Sequence, residues 1–104
     1  MTQKTKNSIL IIGGGLVGLS IAYAFSRNNF KVLILSKNRH ESAGFVAAGM
    51  LATHAEALED ELLKFGQESQ SLIPKWIKSI EQDSDIKCGL KQCGIVVPLS
   101  LIHI

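Results

Sequence analysis

The sequence predicts an α/β fold that opens on a parallel strand–helix–strand unit, and three features predict it. A short apolar run, Ser8 to Ile12, leads into three consecutive glycines, Gly13 to Gly15. A helical pattern follows, Leu16 to Arg27, with Leu19, Ala22, Tyr23 and Phe25-Ser26 on a 3.6-residue period. A second β-branched apolar run occupies Lys31 to Leu35. Continuous apolar runs of this length suit parallel strands buried on both faces. The stretch from Ser8 to Leu35 has the size of one right-handed crossover.

Each element has its own signal. Residues Met1 to Asn7 are a polar tail. Asn28 and Asn29 suit a helix end, because asparagine tolerates the left-handed conformation. Lys37 to Thr53 is a loop rich in small residues, among them Ser42, Ala43, Gly44, Ala47, Ala48 and Gly49. Leu58, Leu62, Phe65, Leu72, Ile73, Trp76, Ile77 and Ile80 then recur at helical spacing, over about six turns. Pro74 lies within this run; it removes a donor and crowds the preceding turn, so a kink or break is expected near Gln70 to Ile73. Glu56, Glu59, Asp60 and Glu61 read as a solvated helix start, and Trp76 as core. Leu90 to Leu99 is strand-like, punctuated by Gly94 and Pro98. There is no internal repeat.

Composition bounds the function classes. The chain has 104 residues, of which 46% are hydrophobic, enough for a packed core. Net charge is only +2 and the lysines are scattered, so no nucleic-acid surface is expected. Cys88 and Cys93 make neither a disulfide framework nor a zinc site, and free thiols in a reducing cytoplasm are expected. Lys4 and Lys6 before the apolar stretch Ile9 to Phe25, with Ala22-Tyr23-Ala24 as a small-residue site, outline a secretory signal peptide. Gly13, Gly14, Gly15 and Gly18 in the middle of that stretch argue against it. The same glycines, and the short run, argue against a membrane span.

Gly13-x-Gly15-x-x-Gly18 after a strand and at the opening of a helix is the dinucleotide-binding pattern of a Rossmann-like unit. Gly13 permits the tight turn, Gly15 lets a pyrophosphate approach the backbone, and Gly18 lets the helix lie close to the sheet. The amides of Leu16 and Val17 would face the anion at the positive end of the helix dipole. The competing reading is a glycine turn that holds no ligand. Ala22 is small enough for close helix–strand packing, and Asn29 stands where such proteins place a glycine. A ribose-binding acid is expected about twenty residues after the glycines, but Ser36 holds that place. Its hydroxyl can bond a ribose without charge assistance. Ser36 with Lys37 and Arg39 could instead receive a 2′-phosphate, which leaves NADP as an alternative ligand.

The loop Val46-Ala47-Ala48-Gly49-Met50-Leu51, followed by His54-Ala55-Glu56, resembles the segment after the second strand in the glycine oxidases of thiamine biosynthesis. These belong to the D-amino-acid oxidase superfamily of FAD-dependent oxidoreductases. The resemblance continues through the helix with Phe65 and Ser69-Gln70 and the stretch from Asp85-Ile86 to Val97. It implies that FAD is the cofactor, with Gly13, Gly15, Leu16, Val17 and Gly18 on its pyrophosphate. Ser36 and Lys37 would lie by the adenosine ribose. Ala43 and Gly44 would line the diphosphate side, where the family often has hydroxyl residues. Ala48, Gly49 and Met50 would bring backbone against the flavin; without the resemblance they read as an ordinary packing turn.

The implied chemistry is oxidation of a small amine or amino acid, with hydride passing from the substrate Cα to flavin N5 and oxygen as acceptor. The flavin carries that chemistry. No catalytic residue is nominated in this segment: His54 reads as a surface or capping residue, and His40 and His103 have no obvious partners. The resemblance further implies a much longer protein, whose antiparallel sheet binds the substrate. This chain then reads as a truncated member, with 8–53 the βαβ unit and flavin loop and 54–104 the helices and first substrate-side strands. An NADP-binding reductase fragment and a non-enzymatic remnant are the competing classes.

Overall fold

The computed structural model describes residues 7–98. The tail with Lys4 and Lys6, the strand-like Leu99, and His103 lie outside the described residues. The chain forms two compact units, Met1–Gly49 and Met50–Ile104.

In the first unit, β1 (Ser8–Ile12) and β2 (Lys31–Leu35) pair in parallel, with Ser8 opposite Lys31 and Ile12 opposite Leu35. The ladder runs one step past each end. Lys31 N donates to the Asn7 carbonyl at 3.0 Å, and Gly13 N donates to the Leu35 carbonyl at 2.8 Å. Between the strands, α1 (Leu16–Arg27) is the crossover. These three elements have the limits that the hydrophobic pattern sets.

The end of α1 explains why the chain turns at Asn28 and Asn29. Phe30 N donates back to the Phe25 carbonyl at 3.2 Å, and Asn29 N to the Ser26 carbonyl at 3.1 Å. This pair of bonds closes the helix around a left-handed residue. Asn29 is that residue, with φ of 62°. Asn28 adds a bond from its side-chain Nδ2 to the Ala24 carbonyl at 2.8 Å. The rings of Phe25 and Phe30 meet edge to face at 5.2 Å, supplying the apolar contact that accompanies such a cap.

The strands differ from expectation in their burial. Ile9, Ile11, Val32 and Ile34 are half-buried, while Leu10, Ile12, Leu33 and Leu35 on the alternate face are exposed. Successive side chains leave a strand on opposite faces. A single crossover helix covers one face, so runs apolar at every position are shielded at every second one. Ala22 of α1 is the buried hydrophobic residue among those described.

After β2, Arg39–Glu41 forms a 3-10 turn capped by Asn38, whose side-chain oxygen accepts from His40 N at 3.0 Å. A one-turn helix, α2 (Ala43–Val46), follows directly. The expected loop therefore contains two short helical turns. Their signals are local: Asn38 and Ser42 precede them, and such residues bond nearby backbone.

In the second unit, α3 (Asp60–Ser84) runs without a break through Pro74, where a kink or break was expected. A helix tolerates one proline when the ladder on either side of it holds. Asp60 and Glu61 lie in its first turn, as the macrodipole favours. Asp85 ends the helix in the left-handed conformation, with φ of 56°. Ile73, Trp76, Ile77 and Ile80 are half-buried, whereas Leu62, Phe65 and Leu72 are exposed, so the apolar pattern is wider than the face it covers. Trp76 is thus less enclosed than a core residue. Residues 85–98 form no strand. The run expected to be extended from Leu90 has no ladder among the described residues, and apolar content alone does not make a strand without one. Among the described residues no helix is long and apolar enough to cross a membrane.

Candidate functional site

The glycines at the end of β1 have separate physical reasons. Gly13 has φ of 109°, a conformation that side chains disfavour, and it turns the chain out of the strand. At Gly18 an added Cβ would lie 2.0 Å from the Gly13 carbonyl oxygen and 3.5 Å from Cγ2 of Ile11. Gly18 is therefore required by the approach of α1 to the strand. Gly14 faces Ser36: an added Cβ would meet both Cβ and Oγ of Ser36 at 2.8 Å.

Gly15 is different. Its backbone is ordinary extended chain, with φ of −77° and ψ of −176°. A Cβ there would meet nothing closer than Cβ of Ser42 at 3.8 Å. Neither conformation nor the protein's own packing demands glycine at this position. What a side chain would fill is the space in front of the helix.

That space is an open groove of about 460 Å3, bordered by Gly13, Gly15, Leu16, Val17, Gly18, Ala43 and Gly44, with Ile11, Ile12 and Ile21 as its apolar wall. It lies at the N-terminus of α1. Leu19 N donates to the Gly15 carbonyl at 2.9 Å and is the first amide in the helical ladder. The amides of Leu16, Val17 and Gly18 precede it and have no carbonyl one turn back. No acidic residue occupies the first turn, and Gly15 offers no side-chain cap. Amides outside the ladder, a helix dipole and an uncrowded backbone together suit an anion such as a pyrophosphate.

The other residues expected at the site divide into three groups. Ala43 and Gly44 line the groove, and Gly44 brings its backbone to the first turn of α1: a Cβ on it would stand 3.4 Å from Cβ of Leu16. Ser36 and Lys37 do not line it. Ser36 sits over Gly14, and Lys37 extends into solvent with Nζ 3.9 Å from the Glu41 carboxylate. Ala48 and Gly49 do not line the groove either. Gly49 has φ of 79°, and Met50, 68% exposed, opens the second unit.

Two neighbours of the site were missed from the sequence. Gly14 is the middle of three glycines, and its contact with Ser36 crosses from one strand end to the other, which no local pattern displays. Ser42 borders Gly15, with its Oγ donating to the Arg39 carbonyl at 2.9 Å. Its signal was available: it is the hydroxyl residue next to Ala43 and Gly44, where hydroxyls were expected. His54 is exposed, its Nε2 3.2 Å from Nε2 of Gln67. His40 has a partner, since its ring meets Phe45 edge to face at 4.6 Å. Cys88 and Cys93 are free and exposed.

A parallel βαβ unit with an anion-ready groove at its glycine turn defines a dinucleotide-binding protein of the α/β class. The family model described as FAD dependent oxidoreductase matches residues 8–100, and the chain belongs to that family, whose cofactor is FAD. It is similar to the bifunctional protein ThiO/ThiG of Trichormus variabilis, 39% identical over 92 residues, covering 88% of this chain and 14% of the relative. The bifunctional protein ThiO/ThiG of Synechocystis is 34% identical, over 93% of this chain and 15% of the relative. The glycine oxidase of Geobacillus kaustophilus is 28% identical, over 85% of this chain and 24% of its own length. The chain thus spans between 14% and 24% of the length of these relatives. No solved structure gives a significant match.

Proposed function

We propose that this chain is the pyrophosphate-holding segment of an FAD-dependent amine or amino-acid oxidase of the glycine oxidase kind, acting in thiamine biosynthesis. The observation that carries the proposal is Gly15, a glycine that neither its backbone conformation nor its neighbours require and whose added side chain would fill the groove. The amides of Leu16, Val17 and Gly18 would donate to the pyrophosphate, with Gly13 shaping the turn and Ala43 and Gly44 closing the diphosphate side. Ser36 and Lys37 would attend the adenosine ribose. Ala48, Gly49 and Met50 would present backbone to the flavin. FAD supplies the electron chemistry when bound, accepting hydride from the substrate and passing electrons to oxygen. This chain's own residues bind and orient; none of them is assigned a proton transfer.

The antiparallel substrate sheet and the group that grips the substrate carboxylate are proposed to lie outside these residues, so the chain is a portion of the oxidase. A cytoplasmic setting, with Cys88 and Cys93 as thiols, is part of the same proposal. Purified chain with added FAD should then release no peroxide from glycine, sarcosine or D-alanine. Flavin-dependent peroxide above a heat-killed control would mean that a complete active site is present. Binding is tested directly by titration with FAD.

Ser36 gives a second test. Ser36→Glu keeps the Cβ where it is, so the contact with Gly14 persists, and it adds a charged acceptor for the ribose hydroxyls. FAD affinity should stay level or rise by up to about tenfold, the equivalent of one charge-assisted hydrogen bond near solvent. NADP affinity should fall by repulsion of the 2′-phosphate. Tighter NADP binding by the glutamate variant would show that Ser36 does not face the ribose.

A further inference from the structure

Downstream of Met50 two side chains of α3 reach back to the chain: Gln67, whose Nε2 lies 3.2 Å from Nε2 of His54, and Gln70. Gln70 uses both ends of its carboxamide. Its Nε2 donates to the Leu51 carbonyl at 3.0 Å, and its Oε1 accepts from Oγ1 of Thr53 at 2.8 Å. The Leu51 carbonyl can only accept, so it fixes which end of the amide faces it. One turn earlier in the helix, Gly66 leaves the room this approach needs: a Cβ there would lie 2.8 Å from Cγ2 of Thr53 and 3.3 Å from Cδ1 of Leu58. The sequence span between Leu51 and Gln70 is long for a contact with no packed core around it. The two bonds together tie the segment at Leu51 and Thr53 to the middle of α3.

We infer that Gln70 is a positioning residue for the flavin-contacting loop: by holding Leu51 and Thr53 on α3 it sets the course of the backbone at Met50. This rests on the reading that Met50 meets the flavin. Gln70 itself touches no cofactor in this account. A nucleotide without the flavin ring, such as ADP, engages the glycine turn alone in that reading, so it serves as the control ligand.

The test is titration of the full chain with FAD and with ADP, with far-UV circular dichroism on each variant. Gln70→Glu preserves size and replaces the donor to Leu51 with a second acceptor; Thr53→Val removes only the other bond. Gln70→Glu should weaken FAD binding by about tenfold, because the bond to Leu51 is lost and a charged acceptor is set against that carbonyl, and leave ADP binding within about twofold. Thr53→Val should fall between Gln70→Glu and the parent. Ser71→Ala, whose hydroxyl bonds only the Glu68 carbonyl of its own helix in the structure, should match the parent. The bound-flavin absorbance spectrum should shift in Gln70→Glu and not in Ser71→Ala. Equal loss of ADP and FAD affinity would mark Gln70 as a general stabiliser and overturn the inference, as would unchanged FAD affinity. If the parent binds ADP as tightly as FAD, the loop does not meet the flavin: the inference falls while the glycine-turn reading stands. If it binds neither, the glycine-turn reading falls and the inference with it.

Discussion

A chain carrying Gly15→Val should fold as the parent does and lose its affinity for both FAD and ADP. The structure separates the two effects. Valine is tolerated by the backbone, because φ of −77° and ψ of −176° lie in the extended region that β-branched residues favour. It is tolerated by the neighbours, because the Cβ would be in ordinary contact with Ser42 at 3.8 Å. Its branched methyls would project into the groove, in front of the amides of Leu16 and Val17. A pyrophosphate held there would forfeit two charge-assisted bonds of about 1.5–3 kcal/mol each, so affinity should drop by about a hundredfold or more. Titration followed by flavin fluorescence, beside a thermal melt, reads both quantities. A variant that melts with the parent and still binds FAD with parental affinity would remove the groove from the site. A variant that binds poorly because it is unfolded would instead show that the space is needed for packing.

The first unit was legible because its signals are local. Apolar runs, three glycines and a paired asparagine lie within one crossover, and each acts on its nearest neighbours: Gly13 on its own φ, Asn29 on the last turn of α1, Phe30 on Phe25. What the sequence hid depends on distance. The contact of Gly14 with Ser36 joins the ends of two strands, and the bonds of Gln70 to Leu51 and Thr53 join a loop to the middle of a helix. No period or spacing encodes them.

The misread elements share a cause as well. Of the kink or break expected at Pro74 the break is absent, because the lost donor does not end a helix whose turns continue on both sides. The run from Leu90 was given the apolar content of a strand without a neighbour to pair with, and β-structure is a property of pairs. Trp76 was read as core from its place in the helical pattern, but period fixes which residues share a face and not whether that face is covered, and Trp76 is half-buried. Ser36 was named for the ribose by its spacing after the glycines, and Lys37, Ala48, Gly49 and Met50 by resemblance; none of the five lines the groove that the glycine motif locates.

Gly18→Ala should cost the fold, which is the opposite result from the same added carbon at Gly15. Two terms compete. Alanine is the better helix former, by about 0.8–1.0 kcal/mol relative to glycine inside a helix. Against this, its Cβ would lie 2.0 Å from the Gly13 carbonyl oxygen and 3.1 Å from the Gly13 carbonyl carbon. These are backbone atoms, so no side chain can swing aside. Gly13 is also held: its N–H is bonded to the Leu35 carbonyl at 2.8 Å, and its φ of 109° leaves few alternatives. The helix must therefore retreat from the strand end by at least about 1 Å, which opens the packing around Ile11 and Ala22. Overpacking of this kind costs about 1–3 kcal/mol and sometimes more, which exceeds the gain in propensity. In a chain this small the net loss should lower the melting temperature by about 10 °C. Thermal melts of Gly18→Ala, Gly15→Ala and the parent measure it. The expected order is Gly18→Ala far below the other two, with Gly15→Ala beside the parent. If Gly18→Ala melts with the parent, α1 does not approach Gly13 as described, and the amides of its first turn are not aimed into the groove.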